Sequence, residues 1–505
     1  MKVSRFSLPI LLALGFSSLS LACEQVDLSD VGDVCLENAG KPEAQQAFLH
    51  GLAQLHNFEF DFAARDFQEA QQIDHDFALA YWGEAMSYNH PLWAQQDKTS
   101  ALVALNKYEP SADARQEKAP TALTRDLFAA VDILYGSGSK QDQDDLYNDH
   151  MAMLFARYPD NVEVAAFYAL SIMGTAHEGR DFSLYMQSAA IMQNFMTEYP
   201  RHPGVAHYLI HSTDDPIHAP LGLQAANAYG DIAPNAAHAQ HMTTHIFLAL
   251  GDWDGVIRAN IRASEITNEN RAARGEGPAG CGHYPSWLMY GYLQQGERDA
   301  AYDIMNLCYK NVASTSNGRF RNYYVWQRML YLLDTGEWNG DVADMRVDLG
   351  DNLEAFFQNQ IVDGWVAVKR DDIKGARKHL NGARGTFSRL EKSWDEDGVT
   401  DISARKKPGV LLMQLESQIQ LATGNNESAL KLLRDVVDIE MELPYGFGPP
   451  RPAKPSLELL GETLVELGQI AEAKTVLEAN LGRTPNKALT IAALAAANTK
   501  LASAD

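Results

Sequence analysis

The 505-residue chain has only four cysteines, Cys23, Cys35, Cys281 and Cys308, and none of them stand in a CxxC spacing. That excludes the zinc-ribbon and thioredoxin-type sites which such pairs build. No GxSxG, no Walker A sequence and no GxGxxG after a strand pattern occurs, so hydrolase-elbow, P-loop and dinucleotide-binding readings fall away. HExxH, the usual zinc-peptidase signature, is missing too; His177-Glu178 runs on into Gly179-Arg180-Asp181. Positive charge is short. The 42 lysines and arginines face 66 carboxylates, leaving a net charge of −24. With no basic cluster to offset it, such a chain repels nucleic acid and anionic lipid. No stretch shows strand-like alternation.

The apolar run over residues 6–16 is too short to span a bilayer. It follows Lys2 and Arg5 and precedes Ser20-Leu21-Ala22, which offers small residues at −3 and −1 of a cleavage site. Residues 1–22 are therefore expected to be a signal peptide and the product periplasmic or secreted. Cys23 directly after Ala22 opens a second route, an outer-membrane lipoprotein, although Ser20 stands at −3 where a lipobox has leucine. Membrane contact is expected only by that route. Loss of the segment removes Lys2 and Arg5 and moves the net charge to −26. In an oxidising compartment the four cysteines can form two disulfides in three ways; the most local pairing is Cys23–Cys35 with Cys281–Cys308.

Histidine is what the chain has in excess, and in one place. Residues 202–245 hold seven of the fifteen: His202, His207, His211, His218, His238, His241 and His245. His207 and His211 are four apart, one turn above the other on a helix. His238, His241 and His245 follow i, i+3, i+7, again a single helical stripe. Pro203 suits a first helical turn, and Pro234-Asn235 opens the next helix. Imidazole ligates zinc, copper, iron and nickel, and a pair at i, i+4 can grip one ion. Asp214 and Asp215 follow the first pair as ligands or as acceptors for a ring N–H. Taken singly, such a histidine caps a helix, packs on an aromatic ring or titrates at the surface. Two stripes facing one groove point instead to a metal or catalytic site.

Internal repeats set the architecture. Near the C-terminus Gly461, Ala473 and Pro485 recur every twelve residues, with Leu457, Leu460 and Leu464 on the first helix. This pattern resembles a tetratricopeptide repeat, in which small residues sit where two antiparallel helices cross. Gly51, Ala63, Phe67 and Ala70 fall in the same frame, with His75 where proline is usual. Gly424, Ala429 and Leu433, then Gly291, Ala301 and Met305, match as well, and Pro200 and Pro234 stand one 34-residue repeat apart. The aromatic residues, among them Trp82, Trp93, Trp253, Trp287, Trp326, Tyr81, Tyr208 and Tyr290, are mostly what packing helix pairs requires.

In tetratricopeptide arrays the first helix of each pair lines the concave face, and the resemblance carries that expectation here. Residues 203–213 and 236–250 become successive inner helices, with 217–230 the outer helix between them. Both histidine stripes then face one groove. His177 is expected to end the preceding inner helix and His283 to precede the following one. The whole pattern is similar to a group of bacterial tetratricopeptide-like proteins with HPGxxHYxIHxxDxP and HAxHMxxHIF segments. It matches at His202-Pro203-Gly204, His207-Tyr208, Ile210-His211, Asp214 or Asp215 with Pro216, His238, His241-Met242 and His245-Ile246-Phe247. The segment from Tyr81 to Trp93, with Glu84 and His90, also matches. That resemblance implies fold and site location, not a reaction.

The expected fold is all-α, a TPR-like helical-repeat solenoid over 44–495, preceded by a 23–43 segment and followed by a 496–505 tail. Residues 90–120 read as an insertion, and 268–282 and 443–455 as loops, the latter crossing the surface as an extended segment. The expected metal residues are His207, His211, His238, His241 and His245, with His177, His283 and Asp215 at the edge. The cofactor is a divalent transition metal (zinc, copper or iron) serving ligand binding or metal-dependent catalysis, by Lewis-acid or redox chemistry. Zinc would lie about 2.0–2.2 Å from three or four donors. Ligand histidines must be neutral, so binding is expected to weaken as pH falls through about 6. The alternative is a metal-free scaffold for a peptide or partner protein; a small-molecule ligand is a further candidate occupant, and nucleic acid is not.

Overall fold

The computed structural model describes residues 26–314, 318–397, 399 and 401–502. The expected signal peptide, and Cys23 with its expected bond to Cys35, lie outside the described residues. Cys281 and Cys308 are joined, as the most local pairing expects.

From Gln45–His56 to Ala488–Ala502 the described chain is a succession of α-helices, as the repeat pattern requires. Its strand content among the described residues is one ladder, Asn89–His90 against Gln95–Gln96, which clamps the Pro91–Trp93 turn. None of the described helices is long and apolar enough to cross a membrane. Short polar side chains fix many starts: Asp97, Thr121, Asn161, Asp181 and Asn352 each accept a backbone N–H of the first turn, and Ser139 forms a capping box with Asp142. Most helices pack on the next, and alternate helices touch as well, which is the stacking signature of a repeat array.

Small residues sit at the crossings for a steric reason. A Cβ on Gly461 would lie 2.5 Å from Leu477, and one on Gly51 would lie 3.1 Å from the Asp66 side chain. Ala473 is fully buried in the same helix pair. Ala473→Leu should therefore overpack the last repeat and destabilise it by about 1–3 kcal/mol, read as a lower urea midpoint at unchanged m-value.

The expected insertion and loops take the following forms. The 90–120 insertion is largely helical, Lys98–Tyr108 and Ala112–Lys118, and its leading turn brings His90 and Trp93 toward the groove. The Trp253–Ala273 helix runs past Asn268, so the loop there begins at Arg274. The 443–455 segment does not simply cross the outer surface. It is extended and non-helical, and it threads the concave side as a strap.

The array also closes on itself. Residues before the first helix stitch it to the middle of the chain: Asn57 Nδ2 donates to the Val31 carbonyl, and the Asp33 N–H donates to the Arg201 carbonyl. Gln45–His56 consequently packs against Pro203–Thr213. At the other end Asn486 and Ala488 bond to Gly251 and Gln294, and the buried Lys487 reaches Asp334 at 3.1 Å. The apolar core falls into two clusters rather than one, an N-terminal one and a larger one running to Ala497.

Candidate metal centre

The histidine helices lie where the repeat register puts them. Pro203–Thr213 and Ala237–Leu250 are inner helices separated by Ala219–Ile232. Pro203 occupies the first turn, and His202 caps it, its Nδ1 accepting the Val205 N–H at 3.2 Å. Gly204 has a different task. A Cβ there would meet the His56 ring at 2.5 Å, so the HPG sequence lets the first repeat press against this helix.

Six of the expected histidines gather. His207, His211 and His238 bring one ring nitrogen each within 4.8 Å of the others, and so do His241, His245 and His283. Ring centroids are 4.9 Å apart for His207–His211, 5.1 Å for His207–His238 and 4.5 Å for His241–His283. The two sets adjoin, with His211 5.4 Å from His245. His283 opens its helix instead of preceding it, which turns its ring onto His241.

Hydrogen bonds orient three of the rings through Nδ1 and leave Nε2 facing inward. His207 Nδ1 donates to the His56 carbonyl at 2.6 Å. His241 Nδ1 donates to Asn260 Oδ1 at 2.8 Å, and Asn260 is itself fixed because its amide donates to Val256. His245 Nδ1 donates to Asp214 Oδ2 at 2.6 Å. Such outer partners fix the tautomer and raise the basicity of the other nitrogen. The buried Nε2 atoms of His207, His211, His238 and His241 have no protein hydrogen-bond partner. Four orphaned acceptors in one place are costly unless something fills the space between them.

Charge around the rings is arranged to keep them neutral. Burial, then the neighbouring imidazoles, push the pKa values of His207, His238 and His241 well below the ordinary histidine value. Burial lowers His211 to about 4 and, with His245 and Arg451 nearby, His283 to about 3. Burial opposes the charge of Asp214, but Arg180, His211 and His245 outweigh it and hold its carboxyl below the usual range. Arg180 is buried between Asp214 and Asp215 and lies over Tyr185 at 4.3 Å.

Two expected residues are not part of the cluster. His177 follows the Val162–Gly174 helix in a turn and bonds Asp145 at 2.9 Å, because that helix stops three residues short of it. Asp215 bonds within the turn. Its Oδ1 accepts the N–H groups of Ile217 and His218 and its Oδ2 meets His218 Nδ1 at 2.8 Å, so it shapes the turn between helices. Asp214 faces the rings.

Other contributors carry no periodic signal. Phe58 sits at φ 56°, a left-handed conformation unusual for a bulky side chain. It packs its ring 4.3 Å from His207 and 5.6 Å from His238. Glu59 accepts the His238 N–H at 3.0 Å, anchoring the start of the second inner helix. Trp287 stacks on His245 at 4.6 Å, and the strap contributes Phe447, stacked on His245 at 5.1 Å from the other direction. Gly448, at φ 86°, lies against Trp287, where a Cβ would stand 2.2 Å from the indole. A third histidine group, His56 and His202 with Glu163, is structural. Glu163 takes both rings at 2.8 and 3.2 Å and the Cys35 N–H at 3.0 Å, while His56 Nδ1 meets the Tyr208 hydroxyl at 2.9 Å. No nitrogen there is left over.

Two cavities lie near the site. One of about 540 Å³ is walled by Phe58, Phe60, Trp93, Tyr323 and Trp326, with Arg451 at its edge. The other, of about 320 Å³, lies along the strap beside His283 and Trp287.

No family model and no curated protein matches the chain. Solved structures do. The APC/C hetero-tetramer Cut9-Hcn1 is similar at a TM-score of 0.37 and 14% identity, over 93% of this chain and 79% of that one. An IFIT1 monomeric mutant with Gppp-AAAA gives 0.37 and 11%, over 88% and 95%. Naa15/Naa10 bound to HypK-THB gives 0.27 and 12%, over 91% and 86%.

Proposed function

We propose that this chain is a metal-dependent helical-repeat protein whose concave groove binds a transition metal, zinc, copper or iron, through the inner-helix histidines. The observation that carries the reading is the set of four buried imidazole Nε2 atoms without a partner, in rings of which two are locked through Nδ1 by an outer acceptor. His56 and His202, by contrast, spend both ring nitrogens on protein partners. The burial that depresses the pKa values of these rings keeps them in the neutral form that ligates. The cavity along the strap, which His283 and Trp287 line, is the space in which a small ligand or substrate would meet the ion, by Lewis-acid or redox chemistry. Export is part of the same reading, supported by the composition of residues 1–22 and by the Cys281–Cys308 bond, which suits an oxidising compartment.

Elemental analysis of protein purified without a metal-binding tag tests this directly. Bound zinc, copper or iron near stoichiometric amounts, or tight uptake on titration, is the expected result. Metal content near zero with no uptake of any of the three would overturn the reading and leave the groove as a surface for a peptide or partner protein.

A further inference from the structure

We infer that the groove is a dinuclear copper site, one copper(I) ion held by His207, His211 and His238 and a second by His241, His245 and His283. This rests on the metal-binding reading above and deepens it. The two sets share no side chain, and each brings three ring nitrogens within 4.8 Å. A single ion bonds nitrogen at about 2.0–2.1 Å, so it can draw in three or four of these donors but not six. Centroids of His238 and His241, one from each set, are 6.2 Å apart, and those of His211 and His245 are 5.4 Å apart. Filling only one set would leave orphaned buried nitrogens in the other, since His207, His211 and His238 lack partners on one side and His241 on the other.

Each set also has an outer acceptor that serves it alone. His207 is locked by the His56 carbonyl, whereas His241 and His245 are locked by Asn260 and Asp214. Each set therefore has an orienting bond of its own, at His207 and at His241, while Asp214 stands between the sets, 2.6 Å from His245 Nδ1 and 3.8 Å from His211 Nδ1.

The charge balance selects the metal. All six donors are imidazoles, and Cys281 and Cys308, the cysteines beside His283, are bonded to each other and offer no thiolate. Asp214, the carboxylate bonded to the rings, shares Arg180 with Asp215. Two divalent ions would put four positive charges beside this group, which offers one carboxylate beyond the one the arginine matches, whereas two copper(I) ions bring half that charge. Copper(I) also accepts three nitrogen donors without an anionic ligand, and imidazole is a good copper ligand. Three donors per ion leave each with an open position, and the adjacency of the sets lets one small ligand touch both ions.

The test is anaerobic titration of the full untagged chain with copper(I) against a chromophoric copper(I) chelator, with zinc titrated in parallel. We expect about two copper(I) ions per chain. His207→Ala/His211→Ala should remove one of them and His241→Ala/His283→Ala the other, each variant keeping its helical circular dichroism. One ion in the wild type, lost in both double variants, would overturn the two-ion inference while leaving the metal site standing. Preferential filling of both sets by zinc would overturn the copper assignment. No uptake of either metal would sink the metal-binding reading itself. If a double variant fails to fold, the wild-type stoichiometry decides, because a value near one is already fatal.

Discussion

Asp214→Ala should destabilise the protein by about 3–5 kcal/mol and weaken metal binding about 10–100-fold. Both effects come from one carboxylate with two duties. On one side it neutralises Arg180, whose side chain is only 3% exposed. Removing Asp214 leaves that guanidinium buried with Asp215 as its remaining carboxylate, 3.5 Å away and already engaged with His218. On the other side it receives the His245 Nδ1–H at 2.6 Å, so its loss frees the ring to rotate and to change tautomer. Urea unfolding of the metal-free protein measures the first effect and competitive metal titration the second. A loss below 1 kcal/mol with unchanged affinity would show that Asp214 neither anchors Arg180 nor orients His245.

Acid should unfold the metal-free protein well before it unfolds the loaded one. The sign follows from the direction in which burial moves the rings. A histidine whose folded pKa is depressed binds its proton first in the unfolded chain, so its contribution to stability is complete above the ordinary value of 6.5. That contribution is lost as pH falls toward the folded pKa. For His211 the window runs from 6.5 down to about 4. That one ring accounts for about 3 kcal/mol across it, because each tenfold difference in proton affinity between folded and unfolded chain is worth about 1.4 kcal/mol. His207, His238 and His241 are depressed in the same way by burial and by one another. Bound metal competes with the same protons, so it should hold the protein folded to lower pH. For the same reason proton-driven metal release should fall below the pH near 6 that ordinary imidazoles give. Denaturant midpoints measured at pH 7, 5.5 and 4.5, with and without metal, check this. Midpoints that stay level from pH 7 to 4.5 in the metal-free protein would contradict it.

Much of this molecule is legible in its sequence because its logic is local. Pro203, the i, i+4 histidine pair and Asp214-Asp215 mark a helix whose observed limits, Pro203–Thr213, are those the repeat register expects. The three-histidine stripe lies on Ala237–Leu250 for the same reason: 3.6-residue periodicity is written in the chain itself. What the sequence hides depends on partners far away. His207 is oriented by a carbonyl 151 residues earlier, and Tyr208 meets a ring 152 residues away. Such pairings follow from closure of the array, which no repeat announces. His177 shows the opposite failure. Its position fits the frame, but the helix ends at Gly174 and the turn beyond it points the ring at Asp145. The choice between Asp214 and Asp215 is equally invisible, since adjacent residues in a turn face opposite ways and only tertiary packing decides which meets the rings.

The strap gives the site a time constant. Phe447 covers His245, Gly448 lies flat on Trp287, and Arg451 sits 4.2 Å over the Trp326 ring. Its far end is moored by Lys454 to Glu458 and Glu462, and the helices beyond are tied back to Gly251, Gln294 and Asp334. An ion of the proposed site leaving past His245 would have to wait for that mooring to slip. On the proposed reading, the residence time of metal on the His241 side would follow how often the last repeat lets go, and a single cut in the strap would shorten it without touching a proposed ligand.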